Sequence, residues 1–262
     1  MDDAIRAAIE ELASSPTVLV ATDFDGVLAP LVEDPSTSRP LPGTVEALRG
    51  LARMPRTTVA AVSGRDLDTL ARLTGIGPDD GVVLVGSHGA QSSRPEAGLH
   101  ELTGPQRLAL ASLDEGLTAI VERHPGTRIE RKPAAVVLHT RGVYEPVADS
   151  ATADTVALAA QHSKAHVMPG KCVVELSVVD ADKGSAVTDL AAWCGADAVF
   201  YAGDDVTDER AFAAMAAAGR EHDLSLKVGE GDTRAGWRVD SPEAAAEVLQ
   251  HLVEQRQRHT AG

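Results

Sequence analysis

Three groups of oxygen-bearing side chains stand in the chain where apolar runs end. The first is Asp23 and Asp25 in "DFDG", which close the run 17–24. Two carboxylates one residue apart repel each other, so the fold must supply something positive to hold them. The second is Ser63-Gly64-Arg65, which follows the apolar run 57–63. A hydroxyl with backbone N–H groups at the start of a helix can hold a phosphate. Ser63 could instead be a simple helix cap. The third is "GDDVTDE", with Asp204, Asp205 and Asp208 crowded into one turn. Capping by Asp205 or Thr207 accounts for part of this crowding but not for all of it. A divalent cation accounts for the rest. Mg2+ takes hard oxygen ligands and keeps several waters, and Asp23 and Asp204 with the carbonyl of Asp25 suit it.

The elements that would position these groups alternate along the chain. Continuous apolar runs rich in β-branched residues at 17–24, 57–63 and 82–88 predict buried parallel strands. Helical patterns at 42–54 and 66–74 separate them. The alternation returns after residue 182, with helices at 183–194, 207–219 and 242–255 and strands at 198–204 and 224–229. Residues 1–15 form an acidic amphipathic helical pattern. This order predicts an α/β fold, a doubly wound, mostly parallel, Rossmann-like sheet. In such sheets ligands bind beyond the carboxyl ends of the strands, where the three groups lie.

The middle of the chain differs. Helices at 105–124 and 146–161 are interleaved with strand patterns at 127–132, 134–141, 165–168 and 171–179. These predict an inserted α+β domain, residues 104–180, within a core made of 1–103 and 181–262. Residues 92–103 and 180–183 are the candidate hinges. Strand parity puts Cys172, Val174 and Leu176 on a face that packs on the helices. Lys171 and Glu175 then point the other way. Glu130 with Lys132, and His139 with Arg141, also share faces. The result is a small sheet with one apolar and one charged side. The charged side suits either solvent or a polar ligand.

Composition limits the function classes. The 262 residues are 44% hydrophobic and 24% charged, with 3% aromatics and a net charge of −15. That charge argues against a nucleic-acid partner, which would need a basic patch. No apolar run approaches the roughly 20 residues of a membrane span. Two cysteines without metal-ligand spacing suit a reducing, cytoplasmic setting, and a monomer is expected over an oligomer.

The order "DFDGVL", "SGR", Lys183 and "GDD-x-T-D" resembles the four motifs of the haloacid-dehalogenase-like phosphohydrolases. "DFDGVLAPL", "VSGR", "GSHGA", "GKCVVEL", "DKGSAV" and "GDDVTDERAF" are similar to the trehalose-6-phosphate phosphatase branch, in its order and over most of the chain. The resemblance implies an Mg2+-dependent phosphatase acting on a small-molecule sugar phosphate through an aspartyl-phosphate. Asp23 would be the nucleophile and Asp25 the acid and base. Ser63 and Lys183 would hold phosphoryl oxygens, and Asp204 would complete the metal site. Asp205 and Asp208 would be ligands or their supports. Substrate would also meet Gly64, Arg65 and His88. From the insertion, then a cap, it would meet Glu130, Lys132, Arg141, Lys171 and Glu175. Gln91 departs from the family's usual Glu after "HGA", which puts contacts to the second sugar ring in question.

Other readings are a phosphatase of another phosphorylated disaccharide or pseudo-sugar, such as sucrose phosphate or mannosyl-phosphoglycerate, a phosphoryl-transferring mutase, and a non-catalytic sugar-phosphate sensor. The sensor reading expects eroded catalytic positions, whereas Asp23, Asp25, Lys183 and Asp204 are all present.

Overall fold

The run Val18–Thr22 forms the strand β1, and every residue in it is buried. It lacks polar alternation because both of its faces are covered. Val18 and Val20 pack with α1 (Asp3–Ser14), α2 (Thr44–Ala52), α3 (Leu67–Thr74) and α8 (Pro242–Thr260). Leu19 and Ala21 pack with α6 (Lys183–Cys194) and α7 (Asp208–Ala218). The computed structural model describes residues 2–94, 102–170 and 172–260.

The chain divides into two units, Met1–Leu99 with Ala181–Gly262, and His100–Asp180. The first unit holds a seven-stranded sheet. Its strands are β1, β2 (Thr57–Val62), β3 (Val82–Gly86), β4 (Gln91–Ser92), β9 (Ala198–Gly203), β10 (Leu224–Val228) and β11 (Trp237–Val239), in the order β11-β10-β9-β1-β2-β3-β4. All neighbours are parallel except β3 and β4. This is the doubly wound, mostly parallel sheet expected from the alternation. The short strands β4 and β11 were not anticipated, since two or three residues carry no periodic signal.

At the far end of the sheet from the acidic groups, Arg256 of α8 is 2% exposed. Its guanidinium donates to the carbonyls of Ala13, Ser15, Pro16 and Arg56 and to the hydroxyl of Thr57. One side chain thus ties the last helix to the turns that lead into β1 and β2.

The second unit is an antiparallel sheet of β5 (Arg128–Lys132), β6 (Ala135–His139), β8 (Val173–Ser177) and β7 (His166–Gly170), in the order β5-β6-β8-β7. Val136, Leu138, Val174 and Leu176 pack against Leu113, Leu117 and Ile120 of α4 (Gly104–Arg123) and Ala151 and Ala159 of α5 (Glu145–Ala160). The register puts Glu130, Val137, Glu175 and Met168 in one row on the opposite face.

Parity fails at the strand ends, which are shorter than the patterns suggested. Cys172 is not on the packed face. It is exposed, in the turn from β7 to β8, with φ of 60°. Arg141 lies beyond β6 in a turn before Gly142 and is exposed, so it shares no strand face with His139. Lys171, and residues 95–101 of the first candidate hinge, lie outside the described residues.

Candidate active site

Asp23 emerges at the carboxyl end of β1 and is 5% exposed. Its amide donates to the carbonyl of Ala202 on β9 at 2.8 Å, which carries the sheet ladder one residue past the strand. Asp23 Oδ2 accepts from Lys183 Nζ at 2.5 Å, and Oδ1 accepts from the Phe24 amide at 2.6 Å. Lys183 opens α6 and is 2% exposed. The same ammonium donates to Asp208 Oδ1 at 2.8 Å. Two buried carboxylates therefore share one buried cation.

Burial pushes the Asp23 carboxyl well above the usual carboxylate range, and Asp208 adds to this, while Lys183 opposes it. Burial also penalises the charged form of Lys183. Asp23 and Asp208 outweigh that penalty and hold the ammonium above its ordinary value. Asp204 is pushed up to about 6 by burial, with Asp208 and Asp205 next in effect. Such an excess of buried negative charge is what a cation offsets. Asp23, Asp204 and Asp208 each offer an oxygen, all within 4.8 Å of one another.

Asp208 has little freedom. Its Oδ1 also accepts from the hydroxyl of Tyr201 at 2.7 Å, and its Oδ2 accepts from the amides of Asp204 and Asp205, both at 2.9 Å. It is fully buried and knits the turn between β9 and α7. Asp205 is exposed and accepts from the amide and hydroxyl of Thr207. Two glycines let these groups approach. Gly26, with φ of 73°, would place a Cβ 2.0 Å from Asp204 Oδ2, and a Cβ on Gly203 would lie 2.2 Å from Asp208 Cγ.

Asp25 is held differently. Arg65 Nε and Nη2 donate to its two oxygens at 2.6 and 2.7 Å, and the Ser38 hydroxyl donates at 3.0 Å. The Arg65 guanidinium thus faces the second aspartate rather than an open anion site, and it lies 5.6 Å over the Phe24 ring. The Arg65 amide donates to Ser63 Oγ at 3.2 Å. Ser63 directly follows β2 and is 1% exposed. It is not the cap of α3, a role taken by Asp66, whose side chain accepts from the Thr69 amide.

His88 lies against Gly64, where a Cβ would meet its ring at 2.5 Å. Its amide donates to the Ser63 carbonyl at 2.9 Å, and both Ser87 and His88 have left-handed φ values. The Gln91 Oε1 accepts from the Ser87 hydroxyl and the Leu67 amide, so this departure from the family pattern fastens the loop itself.

Asp23, Asp25, Ser63, Gly64, Arg65, His88, Lys183, Asp204, Asp205 and Asp208 thus all belong to the first unit, at the carboxyl ends of β1, β2, β3 and β9. Glu130, Lys132, Arg141 and Glu175 belong to the second. There Lys132 and Glu175 form an ion pair at 2.6 Å with both side chains 9% exposed, and His139 Nε2 lies 2.8 Å from Glu130 Oε2. The charged face is therefore internally paired rather than a row of separate solvated charges. Tyr201 escaped the sequence reading because it sits within the apolar run 198–203 and looks like core.

A family model described as trehalose-phosphatase matches residues 21–243. The trehalose-phosphate phosphatase of Mycobacterium avium is 33% identical over 251 residues, covering 90% of this chain and 62% of that protein. The Mycobacterium leprae protein of the same name is 32% identical, covering 89% of this chain and 57% of its own length. The chain therefore spans about three-fifths of these relatives. Among solved structures, Aspergillus fumigatus trehalose-6-phosphate phosphatase aligns with a TM-score of 0.70 at 26% identity, covering 97% of this chain and 98% of that one. The fold is the haloacid-dehalogenase-like one that the motifs led us to expect. A match running from within β1 to the first turn of α8, with relatives a third identical over nine-tenths of the chain, makes this protein a member of the trehalose-phosphatase family.

Proposed function

We propose that the protein hydrolyses trehalose 6-phosphate to trehalose and inorganic phosphate through an aspartyl-phosphate on Asp23. The observation that carries this reading is the Lys183 ammonium held between Asp23 and Asp208, beside Asp204, at one end of the sheet. Phosphoryl transfer asks mainly for positioning and charge neutralisation, which this cluster is built to give.

The donor set fits a hard divalent cation. It offers carboxylate oxygens only, drawn together in a buried site that carries more negative than positive charge. Asp23, Asp204 and the carbonyl of Asp25 would hold it, with Asp208 fixing the turn from behind. Bound Mg2+ would supply positive charge to the phosphoryl oxygens.

In this reading Asp23 attacks phosphorus, and Asp25 gives its proton to the departing sugar oxygen. Asp25 then takes a proton from the water that attacks the aspartyl-phosphate, which releases phosphate and restores Asp23. Ser63 and Lys183 hold the phosphoryl oxygens. Arg65, bidentate on Asp25, orients that carboxyl between the two steps. Glu130, Lys132, Arg141 and Glu175 of the second unit are charged hydrogen-bonding groups of the kind that recognise sugar hydroxyls. On the first unit His88 lies beside Ser63 and Gly64. Among the described residues no helix is long and apolar enough to cross a membrane. We place the activity in the cytoplasm because two cysteines without metal-ligand spacing suit a reducing setting.

The test is phosphate release from a panel of sugar phosphates. Turnover of trehalose 6-phosphate well above that of glucose 6-phosphate and sucrose 6-phosphate is expected. Equal rates across the panel would remove the substrate assignment, and binding without hydrolysis would favour the sensor.

A further inference from the structure

The strand β10 alternates in an unusual way. Leu224, Leu226 and Val228 face the core shared with α1, α2 and α8. Ser225 and Lys227 face the side of α6 and α7. Lys227 is directly beside Gly203 in the parallel register. It is 4% exposed, and among the described residues no carboxylate lies in salt-bridge contact with it, although the Asp204 carboxyl feels its charge. Its ammonium donates to the carbonyl of Asp204. A buried ammonium without a paired carboxylate is costly, and an apolar side chain would fill a purely structural position more cheaply.

The neighbouring contacts suggest what offsets that cost. The amide of Asp204 donates to Asp208 Oδ2 at 2.9 Å, and its carbonyl accepts from Lys227. Both backbone polar atoms of Asp204 are thus held by buried side chains, from α7 on one side and β10 on the other. Orienting a ligand through the groups behind it is a recognised means of tuning a metal site.

We propose that Lys227 is a positioning residue, which fixes the Asp204 peptide and so the direction in which the Asp204 carboxylate meets a divalent cation. The proposal rests on the reading of Asp23 and Asp204 as metal ligands. Manganese binding, followed by electron paramagnetic resonance at neutral pH without substrate, tests it directly. Lys227→Met is expected to weaken Mn2+ binding by about tenfold or more. The Mg2+ needed for half-maximal phosphate release should rise in step, with KM for the sugar phosphate at saturating Mg2+ unchanged. Lys227→Arg, which keeps a cationic donor, should bind close to wild type.

A folded Lys227→Met protein that binds Mn2+ as tightly as wild type overturns the proposal. So does a KM that rises while metal affinity stays fixed. If Lys227→Met does not fold, Lys227→Leu takes its place. Its side chain carries no donor for the carbonyl, and undiminished binding there overturns the proposal equally. Asp204→Asn separates the two readings. If it binds Mn2+ as well as wild type, or if wild type does not bind Mn2+, the metal site itself is wrong and the role of Lys227 falls with it.

Discussion

Asp23 and Asp208 lean on a single ammonium, and most of the chemistry proposed here follows from that shortage of positive charge. Asp23→Asn removes the attacking oxygen and should lower phosphate release by about ten-thousandfold or more, measured on protein whose circular dichroism matches wild type. The raised Asp204 carboxyl gives a pH signature. In the metal-free protein its neutral form is favoured, so it stabilises the fold below an unfolded carboxyl pKa of about 4. That contribution is lost as pH rises through about 6. Cation binding should run the other way, because proton and metal compete. Mn2+ affinity should fall as pH drops through about 6, by about tenfold or more per unit, because the raised Asp23 carboxyl competes in the same direction. An affinity unchanged between neutral and mildly acidic pH would contradict that shift. The aspartates and Ser63 were legible in the sequence because polar groups at the ends of buried strands need a reason to be there, whereas Lys183 stood out only through the family resemblance. The pairing of Arg65 with Asp25 was not, since Arg65 also suits an anion. Tyr201 and Lys227 were hidden inside strand patterns, and only the third dimension turns them toward Asp208 and Asp204.

The turns after the strands matter more than the strands themselves. Between β1 and the following loop, Gly26 leaves room for the Asp204 carboxylate. Gly26→Ala should cost about 1 kcal/mol for the left-handed backbone alone. Because a Cβ would also lie 2.0 Å from Asp204 Oδ2, Mn2+ binding should be largely lost while the rest of the fold survives. Thermal melting and metal titration of the same sample would check both parts. The long strands could be read from the chain because burial on both faces leaves uninterrupted apolar runs, and the helices because one buried side leaves a helical period. The limits of that reading are physical as well. Strands β4 and β11 owe their existence to neighbours already in place rather than to their own two or three residues. In the second unit, parity assigned Lys132 and Glu175 to one side but could not reveal that they neutralise each other. It misassigned Cys172, because nothing in the alternation marks where a strand gives way to a turn.

Across the whole molecule, reacting groups gather at one end of the sheet and fastening groups at the other. Arg256→Ala would leave four carbonyls and a hydroxyl without their donor. A loss of about 2–4 kcal/mol in unfolding free energy is expected, with activity per folded molecule unchanged. Denaturant titration beside a phosphate-release assay would show whether the two separate in this way. The sheet order carries a further consequence for how the protein is made. Strand β1 pairs with β2 on one side and with β9 on the other, and the whole second unit lies between them in the chain. While the ribosome is still translating that unit, the nascent polypeptide carries a greasy strand with one edge bare, a template for pairing with a neighbouring chain. Premature termination before residue 198 would thus release a product inclined to precipitate, and the cell's holdase chaperones should be found on this protein chiefly during its synthesis.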